Sequence, residues 1–283
     1  MGFFESLWAF LVAFCMIFTG IMDYGTASST KEVELVKEEK MVLDAAMYAG
    51  QGITTDGEYY YTSGSLTAFG VAGLAKWDAE TFEQVAVNTK AIPEKYVNAH
   101  DSDHIGGISY YDGKIYAAVE NEAEDFSLVI TYDTETLQPV DSYKMPNEYL
   151  PDGIPWCAVD ADNGYLYCSP FNEVDYIVAC DLETMEFSHI IELSETVYRI
   201  QGGEVYEGVL YLSNDDESNS DKILTVDIST GKVKRLCTRT LPSVAGNEAE
   251  GLTVCPMEDG SFIHVLDYDK TVGVYVRHYK VVV

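Results

Sequence analysis

The chain has 283 residues, of which 47% are apolar and 23% charged, the composition of an ordinary globular protein. Its charge is not ordinary: 17 Lys+Arg stand against 47 Asp+Glu, a formal net charge of −30. That surface repels phosphate backbones and anionic lipid, so nucleic-acid binding and docking through a basic patch are excluded as main activities.

In chain order, the first element is an apolar run over residues 6–22, SLWAFLVAFCMIFTGIM, with no charge between Glu5 and Asp23. Gly25 and Ala27 then stand at −3 and −1 of a small-residue cleavage site. Residues 1–27 therefore read as a secretory signal or an N-terminal membrane anchor. Residues 28–283 follow as one domain outside the cytoplasm, expected to be a monomer. Residues 31–42 (KEVELVKEEKMV) have strand character.

Next comes a unit that recurs five times. GITTDGEYYYTS, GISYYDGKIYAA, CAVDADNGYLYCS, GEVYEGVLYLS and GLTVCPMEDGSFIHVL each read as a strand, a tight turn and a second strand. The turn glycines Gly57, Gly113, Gly164, Gly208 and Gly260 lie 56, 51, 44 and 52 residues apart. A second landmark follows four of them: Asp78-Ala-Glu-Thr81, Asp133-Thr-Glu-Thr136, Asp181-Leu-Glu-Thr184 and Asp227-Ile-Ser-Thr230. An Asp that opens such a turn bonds its own backbone, which predicts a second hairpin. Each unit is thus four antiparallel strands in about 50 residues, the signature of a β-propeller blade. Residues 28–283 divide into five blades of about 51 residues each. The fifth unit lacks its second hairpin, so residues 31–42 are expected to supply its outer strand and close the ring. The fold class is all-β, a five-bladed propeller. Residues 92–104 form the one long connection, with room for a short helix.

Cys157, Cys168, Cys180, Cys237 and Cys255 all lie in strand-like runs and are odd in number. They read as buried free thiols. No CxxC or Cys/His spacing for structural zinc is present, and GxSxG, P-loop and dinucleotide-binding motifs are absent.

In a propeller the innermost strand of each blade lines a central channel, and the loops entering it open on one face. The approaches to the inner strands carry Gln51, His104, Asp152, Arg199, Gln201, Glu248 and Glu250. The exits of the second strands carry Ser63, Glu120, Asn172, Asp215 and Asp267. All five blades thus aim polar side chains at one mouth. Glu120, Asp152, Asp215, Glu250 and Asp267 are hard oxygen donors that suit Ca²⁺ or Mg²⁺. Gln51, His104, Arg199 and Gln201 are the candidate ligand contacts. In His100-Asp-Ser-Asp-His104, the expected reading is a solvated loop whose His104 points at the channel. His264 is expected to be a hydrogen-bonded inner residue, and His189 and His278 strand surface. The acidic stretch Asp215–Asp221 reads as an exposed loop, since it lacks the central Gly and final Glu of a calcium loop.

The blade pattern resembles secreted propellers of the YVTN and lactonase-like kind. Pro151-Asp152-Gly153 with Asp160, Gly164 and Leu166-Tyr167 is similar to one blade of regucalcin/gluconolactonase-like propellers. Glu250-Gly251 is similar to the Glu-Gly of their metal site. The resemblance implies that Asp152 is metal ligand and catalytic base, and Glu250 a metal ligand. This chain differs in having three extra residues after the Pro-Asp-Gly and five units where that family has six blades. Two functions follow as expectations. One is a secreted binding propeller with a small ligand or cation at its mouth. The other is a metal-dependent hydrolase or lactonase using the same carboxylates.

Overall fold

The structure, a computed structural model, describes residues 30–41, 45, 47–215, 222–239, 247–269 and 273–282. The expected signal or anchor segment lies outside the described residues, as does most of the acidic stretch after Asp215. Among the described residues no helix is long and apolar enough to cross a membrane.

Strand β1 (Val33–Lys40) comes first and is used last. The first blade is β2 (Ile53–Thr55), β3 (Tyr59–Leu66), β4 (Val71–Asp78) and β5 (Gln84–Asn88). The second is β6 (Ser102–Tyr111), β7 (Lys114–Asn121), β8 (Leu128–Asp133) and β9 (Pro139–Lys144). The third is β10 (Cys157–Asp160), β11 (Tyr165–Cys168), β12 (Glu173–Asp181) and β13 (Phe187–Tyr198). The fourth is β14 (Ile200–Tyr206), β15 (Val209–Asn214), β16 (Lys222–Asp227) and β17 (Lys232–Thr238). The fifth is β18 (Asn247–Val254), β19 (Ile263–Asp269) and β20 (Gly273–Val281), with β1 as its outermost strand. The chain is a five-bladed β-propeller of four-stranded antiparallel blades. Its ring is closed where β1 pairs with β20, from Val33 opposite Val281 to Lys40 opposite Tyr275. The long connection does carry a helix, α1 (Glu94–His100).

The sequence landmarks have structural causes. The five turn glycines all have positive φ, between 72° and 90°, where a Cβ would be strained. In the second hairpins, Asp78, Asp133 and Asp181 each accept the backbone N–H and hydroxyl of the Thr three residues on. The next residue, Phe82, Leu137, Met185 or Gly231, takes a left-handed conformation and returns its N–H to the Asp carbonyl. Large side chains rarely adopt positive φ. Here Leu137 and Met185 are buried between blades, and that burial offsets the strain.

Apolar clusters fill each gap between neighbouring blades. Examples are Leu74 with Ile105 and Ile130, Trp156 with Ile177 and Leu212, and Trp77 with Leu266 and Val276. Cys157, Cys168, Cys180 and Cys237 are free and buried in these layers, and Cys255 is free and half-buried.

Near the axis the inner strands approach so closely that only glycine fits. A Cβ on Gly106 would meet the Pro155 carbonyl oxygen at 2.2 Å, one on Gly202 the Leu252 nitrogen at 2.6 Å, and one on Gly251 the Ile53 nitrogen at 2.6 Å. This pinch divides the channel into two parts with different chemistry.

Candidate functional site

On the approach side of the pinch stand Gln51, just before β2, His104 on β6 and Glu250 on β18. Gln51 Nε2 donates to Glu250 Oε1 at 3.2 Å, and its carbonyl Oε1 lies 3.0 Å from His104 Nε2. An amide oxygen only accepts, so His104 Nε2 carries a proton. His104 Nδ1 lies 3.1 Å from Glu120 Oε1, and Glu120 Oε2 accepts the Ile154 N–H at 2.7 Å. Glu120 presses on Gly153, where a Cβ would sit 2.1 Å from its carboxylate. The glycine of Pro-Asp-Gly is therefore required for that contact.

The array continues through the same loop. Asp152 accepts the N–H groups of Phe171 and Asn172, each at 2.8 Å, and the Asn172 side-chain amide at 2.9 Å. The Phe171 ring lies under the Arg199 guanidinium, 4.9 Å from its centroid. Arg199 donates to Asp215 Oδ2 at 2.8 Å and to the Asp215 carbonyl at 3.1 Å. Arg199 itself has φ of 51°, a strained value held by backbone bonds to Asn172 and Asp215. Ser213, two residues before Asp215, donates to the Glu250 carbonyl, which closes the circuit. Gln51, His104, Glu120, Asp152, Arg199, Asp215 and Glu250 thus form one contiguous ring contributed by all five blades. The His104 side chain is 30% exposed and the Arg199 side chain 26%, so the ring is open to solvent on one side.

Two expected members behave differently. Gln201 opens β14 beside the ring, its carbonyl 3.2 Å from where a Cβ on Gly107 would lie. Asp267 stands apart from the ring. Its oxygens are taken by Arg239, at 2.8 and 2.9 Å, and by Arg277 at 2.6 Å, all three residues being buried. Arg277 also donates to Glu38 of β1 at 2.6 Å. Burial alone would raise the Asp267 carboxyl, but the two guanidiniums outweigh it and hold the group below the usual range. Asp267 is the centre of an ionic clamp on the closing strand, both of its oxygens accepting guanidinium N–H groups. The run expected to be a solvated loop is split: α1 ends at His100, which stacks on Phe126, Asp101 caps it in the left-handed region, and His104 lies on β6.

The sequence carries no signal for Glu124 beside the ring, and it marks Asp103 only as part of the His100–His104 run. Burial first, then Glu120 and Asp152, raises the Glu124 carboxyl. Burial first, then Glu122 and Asp101 against the lowering effect of His104, raises that of Asp103. Nor does the sequence mark Glu204, three residues beyond Gln201 and past the pinch. Glu204 accepts hydroxyl hydrogen bonds from Thr54 at 3.2 Å, Ser109 at 2.9 Å and Thr253 at 3.2 Å. Thr54 and Ser109 in turn accept the N–H groups of Tyr110 and Val159. One carboxylate therefore ties all five inner strands together. Burial raises it from 4.5 to about 7, against the lowering effect of its three hydroxyl partners. A lone Glu in a GEVYEG hairpin carries no signal of this, because its partners are 150, 95 and 49 residues away.

Among the described residues no group of three His, Cys, Asp or Glu side chains gathers as a metal site. Compared with known proteins, the chain matches no family model, and no curated protein matches it in sequence. Its structure is similar to a chain of hydrazine synthase from Kuenenia stuttgartiensis. The TM-score is 0.45 at 17% identity, over 81% of this chain and 57% of that one. The chain therefore spans little more than half of that protein's chain, and a likeness at this level carries no argument about activity.

Proposed function

We propose that the chain is an extracytoplasmic binding propeller that holds a small polar ligand at the mouth of its channel. The observation that supports this reading is the contiguous ring from Glu250 through Gln51, His104, Glu120, Asp152 and Arg199 to Asp215. Part-exposed His104 and Arg199, backed by buried Glu250 and Asp215 and converging from several elements on a rigid scaffold, suit recognition of a small molecule. The ring offers the His104 imidazole and Gln51 amide as hydrogen-bonding groups, and the Phe171–Arg199 stack as a flat face. Most of its carboxylates already accept N–H groups or a guanidinium, which favours an organic ligand over a bare Ca²⁺ or Mg²⁺. With a net charge of −30, that ligand is neutral or cationic rather than anionic.

A metal-dependent hydrolase or lactonase is the second reading, favoured by Glu120, Glu124 and Asp152 lying close enough to raise Glu124. In that reading Asp152 is the base, and Glu120 and Glu250 are metal ligands. Thermal unfolding against a panel of sugars, amines, amino acids and divalent ions separates the two. Binding predicts an upward shift of about 2.7 kcal/mol in stability at a hundredfold excess over Kd. That shift is lost in His104→Ala and Gln51→Ala. Hydrolysis predicts chelator-sensitive turnover of lactones or esters that is lost in Asp152→Asn. If no compound shifts the wild type and no turnover is found, both readings fall.

A further inference from the structure

The interface between the fifth blade and the first holds a polar cluster with no part in the mouth. His264 on β19, His278 on β20 and Tyr60 on β3 are each at most 1% exposed. The sequence reading took His278 for strand surface. It is buried instead, because β1 covers the outer edge of β20 and the first blade packs on its face. His264 Nδ1 and His278 Nδ1 stand 2.8 Å apart, and the Tyr60 hydroxyl lies 3.3 Å from each. The point equidistant from the three atoms lies about 1.8 Å from each in their plane and about 2 Å from each just off it, the length of a bond from a first-row transition ion to nitrogen or oxygen.

The outer nitrogen of His264, Nε2, donates to the Cys255 carbonyl at 2.9 Å. That is the second hydrogen bond which orients an imidazole ligand and fixes its tautomer. Neutral His264 therefore presents a lone pair at Nδ1. His278 cannot satisfy both of its nitrogens, because its Nε2 is buried with no partner. With the proton on Nδ1, His278 donates to His264 and leaves a bare acceptor at Nε2. With the proton on Nε2, two lone pairs face each other at Nδ1 and share one phenol. A cation between the two Nδ1 atoms relieves the second arrangement, in which lone pairs oppose each other, and His278 Nε2 then carries its proton without a partner.

We propose that Tyr60, His264 and His278 form a site for one transition-metal ion of the zinc or copper class, held by two imidazole nitrogens and a phenol oxygen. Imidazole suits these ions better than Ca²⁺ or Mg²⁺, so the site is chemically distinct from the mouth. Its third donor is a phenol oxygen, outside the His, Cys, Asp and Glu set. Asp259 and Glu39 add negative potential there, and Lys37, which pairs with Glu39 at 3.5 Å, opposes it.

The test uses the full chain produced in Zn²⁺-supplemented medium, dialysed against metal-free buffer and analysed by mass spectrometry. A second preparation is refolded with Co²⁺ and read by its visible absorption. The expected result is one ion per chain in the wild type. A tenfold or greater loss is expected in His278→Ala and in Tyr60→Phe, which keeps the ring and should fold. His104→Ala should retain the ion. Failure of the wild type to hold either ion overturns the proposal. So does undiminished binding in Tyr60→Phe, or loss of the ion in His104→Ala, which would place the metal at the mouth instead.

Discussion

The two sides of the channel pinch are built on the same five strands and solve opposite electrostatic problems. On the mouth side, charged groups are numerous and linked pairwise: His104 and Arg199 reach solvent, while the buried Asp215 and Glu250 are held by Arg199 and Gln51. Three residues deeper, at about 3.3 Å per residue along a strand, a single carboxylate sits dry and takes a separate hydroxyl from three other blades. The mouth can exchange partners, as a binding surface must. The Glu204 knot cannot, since Thr54 and Ser109 already accept a backbone N–H and have only one proton to give. The Asp267 clamp is a third solution, in which burial is offset by two guanidiniums rather than by hydroxyls. An acidic chain with only four arginines commits two of them there and a third to the mouth.

That contrast can be broken experimentally, beginning with the largest effect. Asp267→Asn removes the carboxylate that the buried Arg239 and Arg277 share, leaving Arg277 only Glu38, and should cost about 3–5 kcal/mol. Urea denaturation measures it; a loss below 1 kcal/mol would mean that the clamp does not hold the closing strand.

Glu204 should imprint itself on the pH dependence. Its folded value near 7 lies above the ordinary 4.5, so the folded state favours the proton. The resulting stabilisation is complete below about pH 4.5 and is lost as pH rises through 7, a swing on the order of 3 kcal/mol. Asp267 is shifted the other way, and its contribution disappears only in acid, as pH falls below the ordinary carboxylate value. The wild type should therefore be less stable at pH 8.5 than at pH 5.5. Glu204→Gln should flatten that slope; equal slopes in the two proteins would remove Glu204 as its source.

Gly106→Ala tests the pinch itself. The added methyl meets the Pro155 carbonyl oxygen at 2.2 Å, and displacing backbone there should cost about 1–3 kcal/mol. A neutral substitution would show that the inner strands are looser than their geometry.

The smallest effect on stability belongs to His104→Ala, expected within about 0.5 kcal/mol because the group is part-exposed. Its effect on ligand affinity should exceed tenfold. A large loss of stability would make the ring a structural belt and not a recognition surface.

Much of this was legible in the chain. The five turn glycines and four Asp-x-(Glu/Ser)-Thr hairpins are local chemistry, a backbone angle and a side chain bonding three residues on. They gave the blade count, and the missing fifth hairpin gave the closing role of residues 31–42. Repeat-equivalent positions brought Gln51, His104, Glu120, Asp152, Arg199, Asp215 and Glu250 together for the same reason, since equivalent positions of a ring share a face. Asp267 obeyed that rule in position but not in environment. Arg239 and Arg277 reach it from a loop and a neighbouring strand, and no repeat spacing records which cation a carboxylate will meet. His278 looked like strand surface because alternation along one strand does not reveal what packs on its outer face.

Sequence by itself determined the architecture: period, blade count and which residues crown the channel, because turns and hairpins are fixed by contacts a few residues long. Tertiary structure alone decided how each charge is compensated. The partners of Glu204, Asp267 and His278 come from other strands and blades, up to 218 residues away, and only closure of the ring sets whether a carboxylate or imidazole is wet, paired with a guanidinium or left dry.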